Sequence, residues 1–425
     1  MASTARRTLP WGTIIGFSAM VAMLLLAKYG DELSTLLGRL ADGKSVSAAV
    51  VPLAAPYDET PEQALQRVIG LKRIVNTHEH VQGETVVPDL LKMMDANGMA
   101  KSCLMGSSRF TLTLKESVGF TDYDTNNEAL LKIAQADPAR FEAWPTIDPH
   151  DPEKVEKIRS LHERGATGVK LYIGHGYVRR DNGNYMFHTM AMDDPALFPF
   201  FEFCETNFIP LCLHVNPFLK GFAQELIHVL ETFPNMKVNC PHFILSSIKA
   251  ERLIELLETF PNLYSDISFG HDDFLRDGAE RISRNPEKFK ALFSRFPNRF
   301  FFGTDLVLTD YEGKTPEWMQ VRVQAYFDLL TKATYTTPLL PGKTLVGLEL
   351  RGPLLDNVLY KNYEDFEKLK PSGTKITRQI DWTKMGVTPI DRSPGQVFPP
   401  EKKTPKKVVD PIKTLEKQLM PKLAP

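Results

Sequence analysis

From Arg73 to Asp305, short runs of β-branched and aromatic residues alternate with stretches of helical apolar spacing. The short runs are RIVNTH (73–78), AKSCLMG (100–106), RFEAWPTI (140–147), GVKLYI (168–173), IPLCLHV (209–215), MKVNCPHF (236–243), LYSDIS (263–268) and RFFFGTD (299–305). Each has the length and composition of a strand. The intervening stretch DPEKVEKIRSLHERG has an acidic first turn and a glycine stop, and SSIKAERLIELLETFPN opens with serine and ends before proline. Both are helix signatures. Eight strand–helix units in about 290 residues predict an α/β fold, a (β/α)8 TIM barrel. A doubly wound open sheet is the alternative, but the glycine-rich loop that usually follows its first strand is missing after His78.

The pattern changes at both ends. Arg6 and Arg7 precede an uncharged run from Thr8 to Ala27, closed by Lys28. That run approaches the ~20 residues a membrane-spanning helix needs. No convincing small-x-small cleavage site follows, so an uncleaved single-pass anchor is expected in place of a signal peptide. The two arginines would lie inside and the barrel on the non-cytoplasmic side, periplasmic in a bacterium. From Pro371 onward proline, lysine and threonine dominate without period, which predicts an extended tail. The expected organisation is an anchor at 1–30, a linker at 31–60, the barrel at 61–365 and the tail at 366–425.

Composition narrows the function classes. Lys+Arg 51 against Asp+Glu 52 argues against a nucleic-acid partner held by bulk charge. The four cysteines, Cys103, Cys204, Cys212 and Cys240, show neither C-x-x-C spacing nor a dense framework, and at least three fall in apolar strand-like runs as buried hydrophobes would.

The barrel reading makes a sharp test, because active sites of such barrels stand where strands end. The first predicted strand ends in His78 and His80, the fifth in His214, the sixth in His242 and the eighth in Asp305. With ten histidines in 425 residues, this clustering is not expected by chance. His78 and His80 are two apart, so both project to one side and Glu79 to the other. A ring of imidazoles with one carboxylate suits a divalent metal: Zn²⁺ first, Mn²⁺ or Fe²⁺ as alternatives.

Several stretches then carry a resemblance: NTHEH, GATGVKLYI, IPLCLHVN, HFILSS, PNLYSDIS, RFFFGTD and LVGLELRGPLLDNVLYKNYEDF. Over Ile74 to Tyr363 the chain resembles the amidohydrolase superfamily, in its branch of metal-dependent barrels that includes the aminocarboxymuconate-semialdehyde decarboxylases. It departs from that pattern at Asn76, where Asp is frequent, at Pro241 before His242, and at Leu306-Val307 after Asp305. The resemblance implies that His78, His80, His214 and Asp305 hold the metal. It implies that His242 acts beside it as base or carbonyl polariser, and that Asp305 also accepts a proton from water. It leaves Lys170 as either a bridging, carboxylated ligand or a substrate or structural lysine.

Arg109, His175, Asp266 and His271 are further candidates for substrate contact at the rim. His150, after the third predicted strand, is another, and Arg179 and Arg180 follow the fourth. Three readings follow. The first is a hydrolase that uses metal-bound water on an amide, ester or lactone. The second is a non-oxidative decarboxylase of a carboxylate. The third is a membrane-tethered metal-binding or scaffold protein without activity. The small-molecule partner would be anionic, to judge from the basic candidates Arg109, Lys170, Arg179 and Arg180.

Overall fold

A computed structural model describes residues 59–108, 111, 119–173, 190–217, 221–245 and 249–389, with the backbone alone of 178–179 and 185–186. All belong to one compact unit, Glu59–Pro425. The expected anchor at 1–30, the linker to 58, and the tail from 390 lie outside the described residues. Among the described residues no helix is long and apolar enough to cross a membrane.

The barrel strands are β1 (Ile74–Val81), β2 (Met99–Met105), β3 (Phe141–Trp144), β4 (Val169–Tyr172), β5 (Leu211–His214), β6 (Val238–Asn239), β7 (Leu263–Asp266), β8 (Phe300–Phe301) and β9 (Leu306–Leu308). All their pairings are parallel: β9-β1-β2-β3 in one sheet and β8-β7-β6-β5-β4 in the other. A bridge between Thr146 and Lys170 joins the two sheets on one side. On the other side Thr77 N donates to Phe302 O (2.9 Å) and Asp305 N donates to His78 O (2.7 Å). β8 and β9 therefore form one interrupted stave, and the eight staves close. Parallel strands covered by helices are buried on both faces, and all eight residues of β1 are buried.

The helices form where their signals stand. Thr60 caps the helix Pro61–Leu71 with a reciprocal bond from Gln63. The two quoted helical stretches become Lys154–Glu163 and Ala250–Thr259. Their apolar stripes face the barrel, and all four cysteines are buried and unbridged.

Two departures from the sequence reading matter for the site. The sixth strand is only two residues long, so His242 stands beyond it. Pro241 lacks an amide hydrogen and cannot extend the ladder. The chain instead enters a left-handed turn, with φ of 63° at His242, 52° at Phe243, 53° at Ile244 and 51° at Leu245. Such backbone costs roughly 1–2 kcal/mol per residue for L-amino acids. The turn is held by Leu245 N donating to His242 O (2.8 Å) and His242 N donating to Asp266 Oδ1 (3.2 Å). Asp305, in the break between β8 and β9, also has positive φ, 52°. The second departure is nearer the C-terminus. Residues 366–389, assigned to the tail by composition, pack on the outside. Met385 is fully buried. Arg378 pairs with Glu258 (2.8 Å) and Glu255 (2.5 Å), and Arg252 Nε donates to Met385 O (2.8 Å).

The closing helix Asn362–Lys368 is tied to β2 and β3 by a buried carboxylate. Glu142 accepts from Lys101 Nζ (2.6 Å), Tyr363 Oη (2.5 Å) and Trp144 Nε1 (3.3 Å). Burial raises its pKa, but the Lys101 charge and these donors outweigh burial and hold the carboxyl below its usual range. Its contribution to stability is therefore complete above the unfolded value near 4.5 and is lost as pH falls through the folded value. Glu142→Gln should destabilise the protein by about 1–3 kcal/mol at pH 7. Urea denaturation should show that deficit shrinking as the medium is acidified below about pH 4. A deficit independent of pH would place the loss in packing.

Candidate metal centre

The C-terminal ends of the staves bring His78, His80, Lys170, His214, Asp266 and Asp305 to one end of the barrel, and the turn after β6 adds His242. His78, His80 and Asp305 offer donor atoms that all lie within 4.8 Å of one another. His80 Nε2 stands 3.1 Å and His78 Nε2 3.5 Å from Asp305 Oδ1. His242 Nε2 lies 3.7 Å from Asp305 Oδ2. His214 stands beside this group, its ring centroid 4.9 Å from that of His242 and 5.9 Å from that of Tyr172.

Three of these rings are oriented from behind. His78 Nδ1 lies 3.0 Å from Asp266 Oδ2. His80 Nδ1 lies 3.0 Å from Met105 O and 2.7 Å from Ser107 Oγ, which itself contacts Tyr172 Oη at 2.9 Å. His242 Nδ1 lies 3.0 Å from Ser268 O and 2.9 Å from Ser268 Oγ. A carboxylate or carbonyl behind each Nδ1 selects the tautomer with its hydrogen there and leaves Nε2 as a lone pair facing Asp305. The donor set therefore fits a divalent metal: neutral imidazoles and a carboxylate, each fixed by a second partner.

Electrostatics agree. Burial, helped by nearby Lys170, pulls the His78 pKa down to about 4, so the ring is neutral at ordinary pH. Burial alone would raise Asp305, but His78, His80 and His242 outweigh it and keep the carboxyl well below its usual range. Asp266 behaves likewise, with His78 as its main counterweight. Glu79, on the opposite side of β1, is pushed well above its usual range by burial, and Asn76 and Thr304 bond it there.

Asp266 is a correction. It was expected at the substrate, but it is fully buried behind the histidines. One oxygen takes His78 Nδ1 and Asn239 Nδ2, each at 3.0 Å; the other takes the amides of His242 (3.2 Å) and Ser268 (3.1 Å). A single carboxylate thus places both the first histidine of the cluster and the strained turn carrying His242. Strand alternation could place Asp266 near the barrel axis but could not say which side of the histidines it occupies.

Lys170 is fully buried. Its Nζ lies 3.1 Å from His78 Nε2, 3.4 Å from Cys212 Sγ and 5.0 Å from the Tyr172 ring centroid. Among the described residues no carboxylate pairs with it. His271 caps the helix Asp272–Arg284, accepting from Asp273 N (3.3 Å). It lines a cavity of about 270 Å³ beside Asp305, with Tyr311, Lys314, Trp318 and Arg322. Arg109, His175 and Arg180 lie outside the described residues, as does the side chain of Arg179; His150 is exposed on its loop. Ser107, Ser268 and Asn239 were not anticipated, since buried hydroxyl and amide side chains have no sequence signature. Lys314, Trp318 and Arg322 were missed because they follow the last strand, where nothing in the pattern marks a rim.

The sequence matches the family described as "Amidohydrolase" over residues 101–334. No functionally curated protein matches the chain. Among solved structures it is similar to an uncharacterised TIM-barrel protein from Bordetella bronchiseptica, at 17% identity and a TM-score of 0.44, covering 69% of this chain and 97% of that one. A probable 2-pyrone-4,6-dicarboxylic acid hydrolase from Acinetobacter baumannii, with citric acid bound, gives 16% identity, a TM-score of 0.43 and coverage of 60% and 93%. The 5-carboxyvanillate decarboxylase of Novosphingobium aromaticivorans, complexed with manganese and 4-hydroxy-3-methoxy-5-nitrobenzoic acid, gives 13%, 0.41, and 70% and 96%.

Proposed function

Because this chain belongs to the amidohydrolase family, we propose that it is a metal-dependent enzyme that decarboxylates a small carboxylic acid without oxidation. Hydrolysis of an amide, ester or lactone is the second reading. The observation that carries the first is Lys170: fully buried, 3.1 Å from His78 Nε2, with no carboxylate paired to it among the described residues. A buried lysine is tolerated as a charge when an anion meets it. A substrate carboxylate entering the barrel would be that anion.

His78, His80, His214 and Asp305 would hold the metal, with Zn²⁺ preferred and Mn²⁺ or Fe²⁺ as alternatives. When bound, a divalent ion supplies Lewis acidity to the oxygens it touches. The chain's own residues do the rest. Lys170 orients the carboxylate. The bond between carboxylate carbon and substrate carbon breaks, its electron pair stays on the substrate, and carbon dioxide leaves. His242, having first taken a proton from solvent on its Nε2 lone pair, delivers that proton to the carbon and returns to the neutral ring, while Nδ1 remains bonded to Ser268 O, an acceptor that stabilises the protonated form. The second reading is favoured by Asp305. Its carboxylate stays ionised and faces both His80 and His242, so it could take a proton from an attacking water.

The two readings separate by product. Zn²⁺- or Mn²⁺-loaded protein, offered carboxyl-labelled aromatic and unsaturated acids in D₂O, should release labelled carbon dioxide and place one deuterium on the product. Turnover of esters or lactones with no carbon dioxide from any acid would replace this reading by hydrolysis.

A further inference from the structure

Asp305 carries its carboxylate on left-handed backbone, φ 52°, in the break between β8 and β9. Residues other than glycine adopt that conformation only where the surroundings hold it. What surrounds it is a buried network that the histidine cluster does not use. Asn76, Glu79 and Thr304 are each fully buried. The pairing of β1 with β2 slips between Asn76 and Glu79, which lets two residues of opposite strand parity meet. Asn76 Oδ1 accepts from Thr304 N (3.1 Å) and from His78 N (3.3 Å). Backbone N–H groups only donate, so the atom facing them is the amide oxygen and the amide nitrogen faces the other way. That nitrogen donates to Thr304 Oγ1 (2.9 Å) and to Glu79 Oε1 (2.5 Å). The Thr304 hydroxyl, having accepted from Asn76, donates to the same Glu79 oxygen. Tyr326 Oη donates to Thr304 O (3.2 Å). Every polar atom of Thr304 is therefore tied, and the next residue is the carboxylate that faces His78, His80 and His242. The network also gives a reason for the departure from the amidohydrolase pattern at position 76. An ionised aspartate there would accept from the two amides but could not donate to Glu79, whereas asparagine does both.

We propose that Asn76, Glu79 and Thr304 are positioning residues for the metal: they latch the break between β8 and β9, so that Asp305 stands opposite His78 and His80 before an ion arrives. The inference rests on reading His78, His80 and Asp305 as a metal centre. None of the three latch residues needs to touch the ion. Their work is to spare the site the reorganisation that binding would otherwise require. What the latch needs from Glu79 is an acceptor at Oε1. Glutamine supplies one and leucine does not. What it needs from Thr304 is the hydroxyl, which valine lacks at nearly the same shape.

Competition for Zn²⁺ between the full chain and a coloured chelator tests this, together with amide hydrogen exchange on the metal-free chain. Glu79→Leu and Thr304→Val should each weaken Zn²⁺ binding by about 10- to 100-fold, the range for partners behind a metal ligand. Glu79→Gln should stay within about threefold of the natural protein. Exchange over residues 302–308 should rise about 10-fold in the two weakened variants, the order expected for one lost buried hydrogen bond, and stay unchanged over 263–266. Glu142→Gln serves as the control: it removes a buried carboxylate elsewhere, and should lower stability without changing Zn²⁺ affinity. Glu79→Leu and Thr304→Val proteins that unfold more easily yet keep their Zn²⁺ affinity would make the network structural only and overturn the proposal. So would a Glu79→Gln variant as weak as Glu79→Leu, because the charge and not the acceptor would then be acting. Natural protein that takes up no Zn²⁺ would defeat the metal reading, and the exchange over 302–308 would then decide by itself whether the latch places Asp305.

Discussion

His242→Asn should retain the metal and the fold and lose a factor of about 10² to 10⁴ in turnover, the range for removal of a general acid–base group. The substitution is chosen for the backbone as much as for the chemistry. His242 sits at φ 63° in a left-handed turn, a conformation asparagine tolerates better than most residues. The amide that fixes the turn, donating to Asp266 Oδ1, is untouched. The asparagine side chain could still donate towards Ser268 O, but it has no nitrogen that gains and loses a proton near neutral pH. Affinity for a competitive inhibitor should change far less than turnover, because proton transfer acts in the transition state. A variant that loses its metal would make His242 a ligand. A variant with nearly full turnover would move proton transfer to another group, and His271, which lines the cavity, would be the next to replace.

His78→Ala and Asp305→Asn should abolish metal retention, against about one ion per chain in the natural protein. Each removes a donor from the cluster whose atoms lie within 4.8 Å of one another. Asp266→Asn should show a graded loss. Its carboxylate lies behind His78 Nδ1, outside the group of His78, His80 and Asp305, and such partners are typically worth 10- to 100-fold in metal affinity. Elemental analysis after growth with Zn²⁺ and Mn²⁺, followed by competition with a chelator, measures both effects. Protein without metal under those conditions would defeat the assignment. Two ions, reduced to one by Lys170→Ala, would make Lys170 a bridging ligand.

Periodicity and strand-end chemistry made much of this protein readable from its sequence. Burial of parallel strands demands apolar runs, and those runs mark all eight staves between Ile74 and Leu308. Period-two alternation puts His78 and His80 on one side of β1 and Glu79 on the other. Residues that end different strands of a closed barrel must meet, so His78, His80 and Asp305 could be grouped without coordinates.

What alternation could not supply was the direction of polar side chains off regular backbone. His242 reaches the site through a left-handed turn that no strand pattern encodes. Asp266 lies behind the histidines instead of facing substrate, because its four partners, His78, Asn239, His242 and Ser268, come from three staves and the turns after them. Lys314 and Trp318 reach the rim from the segment after the last stave, and residues 366–389 pack against the barrel despite a tail-like composition. Each of these was decided by contacts between distant segments, and the energies that settle them, a buried hydrogen bond or a paired charge, exist only once the barrel has closed. Local pattern determined which residues could meet; closure determined which atoms of them do.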